Sequence, residues 1–143
     1  NYEVIHHTQL INELVEVGKI QLTQNEKLTV TFHDPCYLGR HNQVLNAPRQ
    51  ALQSIGAQIV EMPKNNAKSF CCGAGGAQMW KEEEHGAANI YITRYKEAKA
   101  TNAGTVAVGC PFCLTMLNDA NKAEGDRMQV KDMAELVADQ LKQ

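Results

Sequence analysis

Five cysteines in three groups, spaced Cys36-x34-Cys71-Cys72-x37-Cys110-x2-Cys113, constrain this chain more than any other feature. All lie between residues 36 and 113, with none in the first 35 positions or the last 30. A secreted disulfide scaffold is usually shorter, richer in cysteine and even in count. An odd set spread over a 143-residue chain instead predicts a reducing, cytoplasmic compartment and thiols kept for a metal.

The hydrophobic pattern around them predicts alternating helices and strands. Leu10, Ile11, Leu14 and Val15 recur at helical spacing over 8–17, and Gly18 can stop that helix. Residues 27–33 (KLTVTFH) are rich in β-branched and aromatic side chains and read as a strand. A helix follows over 44–55, stopped by Gly56, then a short strand over 58–62 ended by Pro63. Residues 64–69 read as a polar loop, and 76–100 as a helix or a pair broken at Gly86. The pattern continues with a strand over 105–109, a helix over 112–122 and a short strand over 128–130. A final helix capped by Asp132 runs through Leu141. This order predicts a single α/β domain over 1–143, a mainly parallel sheet with helices on both faces.

In an open parallel sheet, ligands bind outside the carboxyl ends of the strands. Cys36 follows the first predicted strand and Cys110 the third, so two cysteine groups meet at one edge of the sheet, and Cys71-Cys72 is expected to join them. Pro35 and Pro111 stand where helices can begin. Helix N-termini present free N–H groups and partial positive charge, which lowers a thiol's pKa. Gly73, Gly75 and Gly76 allow close backbone approach and positive φ, and their N–H groups are candidates to donate to sulfur. Four thiolates satisfy a cubane cluster or a structural zinc. Five leave one spare, or imply a cluster of another type. Adjacent side chains diverge, so Cys71 and Cys72 more naturally reach different metal atoms than chelate one.

Composition removes other classes. A net charge of −2, from 14 basic and 16 acidic residues, gives no basic face for nucleic acid. Aromatic residues at 6% provide no stacking platform for bases. No run of about 18 apolar residues is present to span a bilayer. The chain opens on Asn1, with no initiator Met, directly in a helix-like pattern, and the expectation is a piece cut from a larger protein rather than a processed chain.

Three stretches carry a family resemblance: His33-Asp-Pro-Cys-Tyr-Leu-Gly-Arg40, Cys71-Cys-Gly-Ala-Gly-Gly76 and Cys110-Pro-Phe-Cys-Leu-Thr-Met-Leu117. Together they resemble the CCG domain of heterodisulfide reductase and its bacterial relatives, over about residues 28–142. The x37 interval is slightly long for that pattern, and residues 86–104 can hold the excess. Tyr37 to Asn42, Gln78-Met-Trp80 and the acidic run at 82–84 look most like the membrane-associated branch that passes electrons from electron-transfer flavoprotein towards quinone. Glycolate- and lactate-oxidase iron–sulfur proteins match more loosely. The resemblance implies that Cys36, Cys71, Cys72, Cys110 and Cys113 bind a 4Fe-4S cluster, noncubane in that family. It also implies that this chain is the C-terminal domain of a larger oxidoreductase, with other redox domains or subunits as partners, and a place at the cytoplasmic face of the membrane supplied by other parts of the parent protein.

Three functions stay open on the residues. The chain is an electron-transfer module, a disulfide-reducing domain with substrate sulfur at the cluster, or a zinc-binding interaction scaffold. His33 is a ligand, a proton donor, or a buried histidine bonded to backbone. Asp34 reads as an N-cap. Arg40 and His41 face an anionic centre, a partner or solvent. His6-His7 and Glu82-Glu83-Glu84 read as surface, and Trp80 as a lid on the core. Gly73-x-Gly-Gly lacks the spacing and later acidic residue of a dinucleotide fingerprint.

Overall fold

Val30 and Phe32 alternate with Thr31 and His33 along the first strand, and all four are buried. A strand buried on both faces belongs inside a sheet covered on both sides. The computed structural model, which describes residues 1–82 and 86–142, has that architecture. Strands β1 (Thr29–His33), β2 (Gln58–Ile59), β3 (Thr105–Val108) and β4 (Gln129–Asp132) form one parallel sheet in the order β2-β1-β3-β4. The register pairs Thr31 with Val106 and His33 with Val108.

Each face has its own core. Val30, Phe32 and Ala107 pack with Ala51, Leu52, Ile55, Met133, Leu136 and Val137, under helices α1 (His7–Glu16), α2 (Asn46–Ser54) and α5 (Met133–Ala138). Val106 and Val108 pack with Tyr95, Ala98, Cys113, Leu117 and Ala120, under α3 (Ile90–Lys99) and α4 (Pro111–Ala123). Each fully buried Leu, Ile or Phe contributes about 1.5–3 kcal/mol relative to an exposed one. The expected fold, with helices on both faces, is the observed one. Tyr95 Oη donates to Asn121 Oδ1 at 2.5 Å, and Asn121 Nδ2 donates to Met128 O at 3.0 Å, tying α3 and α4 to the approach of β4.

Local chemistry sets the ends. His6 caps α1 in a reciprocal box with Gln9, and Asp132 caps α5 in the same way with Glu135. Pro111 starts α4, where its missing N–H costs nothing. Three details differ from the sequence pattern. The second strand keeps only two ladder residues, because it is the sheet's edge and pairs only with β1. Residues 78–80 form a single 3₁₀ turn, and among the described residues the next regular helix is α3, from Ile90. The glycines at 75–76 and a left-handed Ala77 (φ 63°) break any longer helix there. The last helix ends at Ala138, since Leu141 turns to pair with Leu22. Of the acidic run, Glu83 and Glu84 lie outside the described residues. Among the described residues no helix is long and apolar enough to cross a membrane.

Candidate metal centre

The carboxyl ends of β1 and β3 deliver the first and third cysteine groups. After His33 the chain turns through Asp34 and Pro35 into a short π-helical turn, Tyr37–His41, with Cys36 in right-handed helical geometry at its start. After Val108 it reaches Cys110, the extended N-cap of α4, and one turn of helix carries Cys113 to the same side. The long segment after β2 supplies Cys71 and Cys72. All five cysteines line one cavity of about 870 Å³, together with Leu38, Val44, Met79, Trp80 and Phe112. Cys72 and Cys113 are buried, and Cys36, Cys71 and Cys110 are half-buried.

Within the cavity three sulfurs interact directly. Cys113 Sγ donates to Cys72 Sγ at 3.3 Å. That hydrogen bond, with help from His33 and the amide of Ala74, draws the Cys72 thiol down to about 4 against the opposing effect of burial. A hydrogen bond from Cys113 likewise lowers Cys110 to about 6, aided by the amides of Cys113 and Phe112 at the start of α4. Cys113 is pushed far up, because Cys110 and Cys72 both hold its proton and burial adds to them. Two thiolates thus share one proton in a partly dry site. Gly73 N donates to Cys71 Sγ at 3.3 Å. Gly73 and Gly76 have φ of 92° and 65°, as expected of the glycine cluster, whereas Gly75 does not need a positive φ.

His33 ends β1 on the α3/α4 face of the sheet, 1% exposed. One of its ring nitrogens and the sulfurs of Cys72 and Cys113 lie within 4.8 Å of one another. Its Nδ1 accepts from Arg94 Nε at 2.9 Å, so its partner is a side chain and not the backbone. Asp34 is no helix cap. Its two carboxylate oxygens accept from Arg49 Nη1 and Nη2 at 2.8 and 3.0 Å, and Oδ2 also accepts from Asn66 N at 2.7 Å. This buried pair holds the chain entering the Cys36 turn against α2 and the loop after β2.

Arg40 is exposed but not idle. Its Nη2 donates to Ser69 O at 2.7 Å and fastens the approach to Cys71 onto the Tyr37–His41 turn. Trp80 is 70% exposed at the cavity mouth, edge-on to Phe112 with centroids 5.7 Å apart, so it does not sit on the core. The histidine pair read as surface instead forms part of the wall. His6 and His7 line the cavity, and His6 Nε2 donates to Gly109 O at 2.9 Å, beside Cys110. The one sequence signal that marks His6 is the capping box it makes with Gln9.

The donor set suits a soft metal centre. Thiolates select iron–sulfur clusters and zinc. Here two of them are ionised near neutral pH and held by one proton that a bound cation would replace. A single tetrahedral zinc uses four ligands, one fewer than the sulfurs lining the cavity.

The cysteine-rich domain model designated CCG matches residues 30–118. The chain is 48% identical over 139 residues to a probable iron–sulfur-binding oxidoreductase, FadF, of Bacillus subtilis, covering 95% of this chain and 20% of that protein. It is 39% identical over 145 residues to the EtfAB:quinone oxidoreductase of Syntrophomonas wolfei, covering 96% of this chain and 20% of that protein. Identity is 40% over 141 residues to one of the subunits of the dihydromethanophenazine:CoB–CoM heterodisulfide reductase of Methanosarcina barkeri, covering 98% of this chain and 34% of that relative. The chain therefore spans a fifth to a third of the length of these relatives.

Proposed function

The chain belongs to the CCG cysteine-rich domain family, and on that premise we propose that it is an electron-transfer domain. It holds an iron–sulfur cluster through Cys36, Cys71, Cys72, Cys110 and Cys113 and works within a larger oxidoreductase. The observation that carries this reading is the convergence of all five thiols on one cavity. The relatives, whose names describe iron–sulfur and quinone-linked oxidoreductases, support it. When bound, the cluster supplies a one-electron redox centre of the 4Fe-4S class, and a five-thiol set favours the noncubane form over a cubane that needs four.

The chain's own part is binding and tuning. Cys72 and Cys110 are thiolates at neutral pH, whereas Cys113 must lose its proton on binding. Loading therefore releases protons and weakens as pH falls. The amide of Gly73 at Cys71, and those of Ala74 and Phe112 at Cys72 and Cys110, direct partial positive charge at the sulfurs. Such donors stabilise the more negative, reduced state and raise the potential. Leu38, Val44 and Met79 keep the cavity wall apolar and limit water. The electron partners are other domains or subunits of the parent complex, with electron-transfer flavoprotein as donor and a quinone-linked acceptor. The setting is the cytoplasmic face of a membrane.

A second reading, reduction of a disulfide whose sulfur enters beside the cysteines, draws on the size of the cavity and on the exposure of Trp80 and Tyr37 in its lining. Turnover of a disulfide with a reduced dye supports that reading, and failure of several disulfides to oxidise the reduced centre removes it. The deciding experiment for the first is iron and acid-labile sulfide content with electron paramagnetic resonance on anaerobically purified chain. Iron and sulfide in equal amounts, with a redox-dependent signal lost in Cys71→Ser, is the expected result. Zinc without sulfide after reconstitution overturns it in favour of a scaffold.

A further inference from the structure

Arg94 is a charged side chain with no exposure at all, in the middle of a core otherwise built from Tyr95, Ala98 and Leu117. A buried charge is costly unless its donors are used. Nη1 donates to Glu97 Oε2 at 2.7 Å and to Lys64 O at 2.8 Å, and Nη2 to Ser69 Oγ at 3.2 Å. Its Nε–H donates to His33 Nδ1 at 2.9 Å. Glu97, on the next turn of α3, is 20% exposed in its side chain and also lies 3.8 Å from Lys64 Nζ.

A guanidinium has donors only and keeps its charge in proteins. Its Nε–H can meet Nδ1 of His33 only if Nδ1 presents its lone pair. The proton of the neutral imidazole is then on Nε2, the nitrogen that Arg94 leaves free, on a ring that has one nitrogen within 4.8 Å of the Cys72 and Cys113 sulfurs. Nε2–H can donate to sulfur, but it has no lone pair to give a metal. The tautomer therefore decides the role of a histidine that, by proximity alone, completes a His33–Cys72–Cys113 metal-ligand trio.

We propose that Arg94, anchored by Glu97, is a positioning residue that fixes His33 as an Nε2–H donor to the Cys72 sulfur, making His33 a hydrogen-bonding neighbour of the bound cluster and not one of its ligands. This rests on the cluster-binding reading above. A donor to a ligand sulfur raises the reduction potential, so Arg94 acts on the centre through His33. The device also disfavours zinc, since a His–Cys site requires the lone pair that the proton occupies.

The test has two arms. In the metal-free chain, long-range ¹H–¹⁵N correlation of ¹⁵N-histidine reads the His33 tautomer directly. Nε2–H in the wild type, lost in Arg94→Met, is expected, and Nδ1–H in the wild type overturns the proposal. In the anaerobically reconstituted chain, His33→Leu and Arg94→Met shift the potential to more negative values at unchanged iron and sulfide content. The double variant shifts no further than His33→Leu, whereas a direct charge effect of Arg94 would add to it. His33→Gln, which offers an amide N–H in place of Nε2–H, restores most of the shift. Unshifted potentials, additive shifts, or strong ¹⁵N coupling of a directly ligated ring in pulsed paramagnetic resonance of the wild type each overturn the proposal. The pulsed measurement needs no variant to fold. A wild-type chain that takes up neither iron nor sulfide overturns the cluster reading, and the first arm still decides the tautomer.

Discussion

The Sγ atoms of Cys72 and Cys113 lie 3.3 Å apart, with the proton between them held by Cys113. Metal-free chain is therefore expected to show thiolate absorbance in the ultraviolet in two steps, near pH 4 for Cys72 and near pH 6 for Cys110. Cys113→Ala removes the donor that lowers both thiols, so both steps move up towards the ordinary value of 9.0. A titration in which Cys113→Ala leaves the two steps in place contradicts the shared proton.

The same short contact makes Cys72 and Cys113 the first pair to oxidise once metal is removed. Diamide, a two-electron thiol oxidant, takes two electrons from the pair with the Cys113 proton and one proton from solvent, and closes one S–S bond. Mass spectrometry of the chelated, oxidised chain is expected to find a Cys72–Cys113 peptide pair ahead of a Cys71–Cys72 bridge. Predominance of the neighbouring pair would mean that the loop rearranges before oxidation.

Arg49 carries the charge balance of Asp34, whose side chain is 2% exposed. Removing one partner of a buried ion pair strands the other, at about 3–5 kcal/mol. Arg49→Leu is expected to lose stability of that order in urea unfolding, with Asn66 N as the only remaining donor to Asp34 recorded among the described residues. The double variant Arg49→Leu with Asp34→Leu should recover part of the loss, since no buried carboxylate remains.

Gly73 and Gly75 separate conformational need from proximity to the site. An added Cβ at Gly73 meets Ile90 Cβ at 3.2 Å, on a backbone with φ of 92°, whereas at Gly75 nothing lies within 4 Å. A left-handed non-glycine residue costs roughly 1–2 kcal/mol before any clash. Gly73→Ala is expected to lower both stability and metal retention after gel filtration, and Gly75→Ala to match the wild type.

His6 joins the N-terminal segment to the loop that carries Cys110. Losing an N-cap costs about 0.5–2 kcal/mol, and His6→Ala also removes the bond to Gly109 O. Amide hydrogen exchange over the first turn of α1 should speed up, and bound metal should become more accessible to chelator. Unchanged exchange and chelation rates would show that the segment is held by other contacts.

Much of this arrangement follows from local pattern, and some of it cannot. The α/β alternation was legible because β-branched runs such as Thr29–Val30–Thr31 and helical spacing such as Leu10–Leu14 signal through nearest neighbours. The convergence of Cys36 and Cys110 followed from the rule that parallel strands present their carboxyl ends together. The start of the stretch read as a helix or a broken pair was less legible, because Gly76 and a left-handed Ala77 leave only a single 3₁₀ turn at 78–80.

What the sequence by itself determined is the order of elements, the parallel sheet with its two covered faces, and the Cys36 and Cys110 groups at one edge, each set by short-range periodicity and chain order. The arrival of Cys71 and Cys72 at the same cavity came from the packing of the long loop after β2. Only the tertiary structure decided the partners of polar side chains. His33 meets Arg94 across 61 positions, and Asp34 meets Arg49 from the next helix instead of capping its own turn. His6 reaches Gly109 across 103 positions to become cavity wall. The reason is physical. An apolar side chain needs only a buried face, which periodicity announces, whereas a buried polar group needs one donor or acceptor at hydrogen-bond distance, and that depends on how distant elements pack.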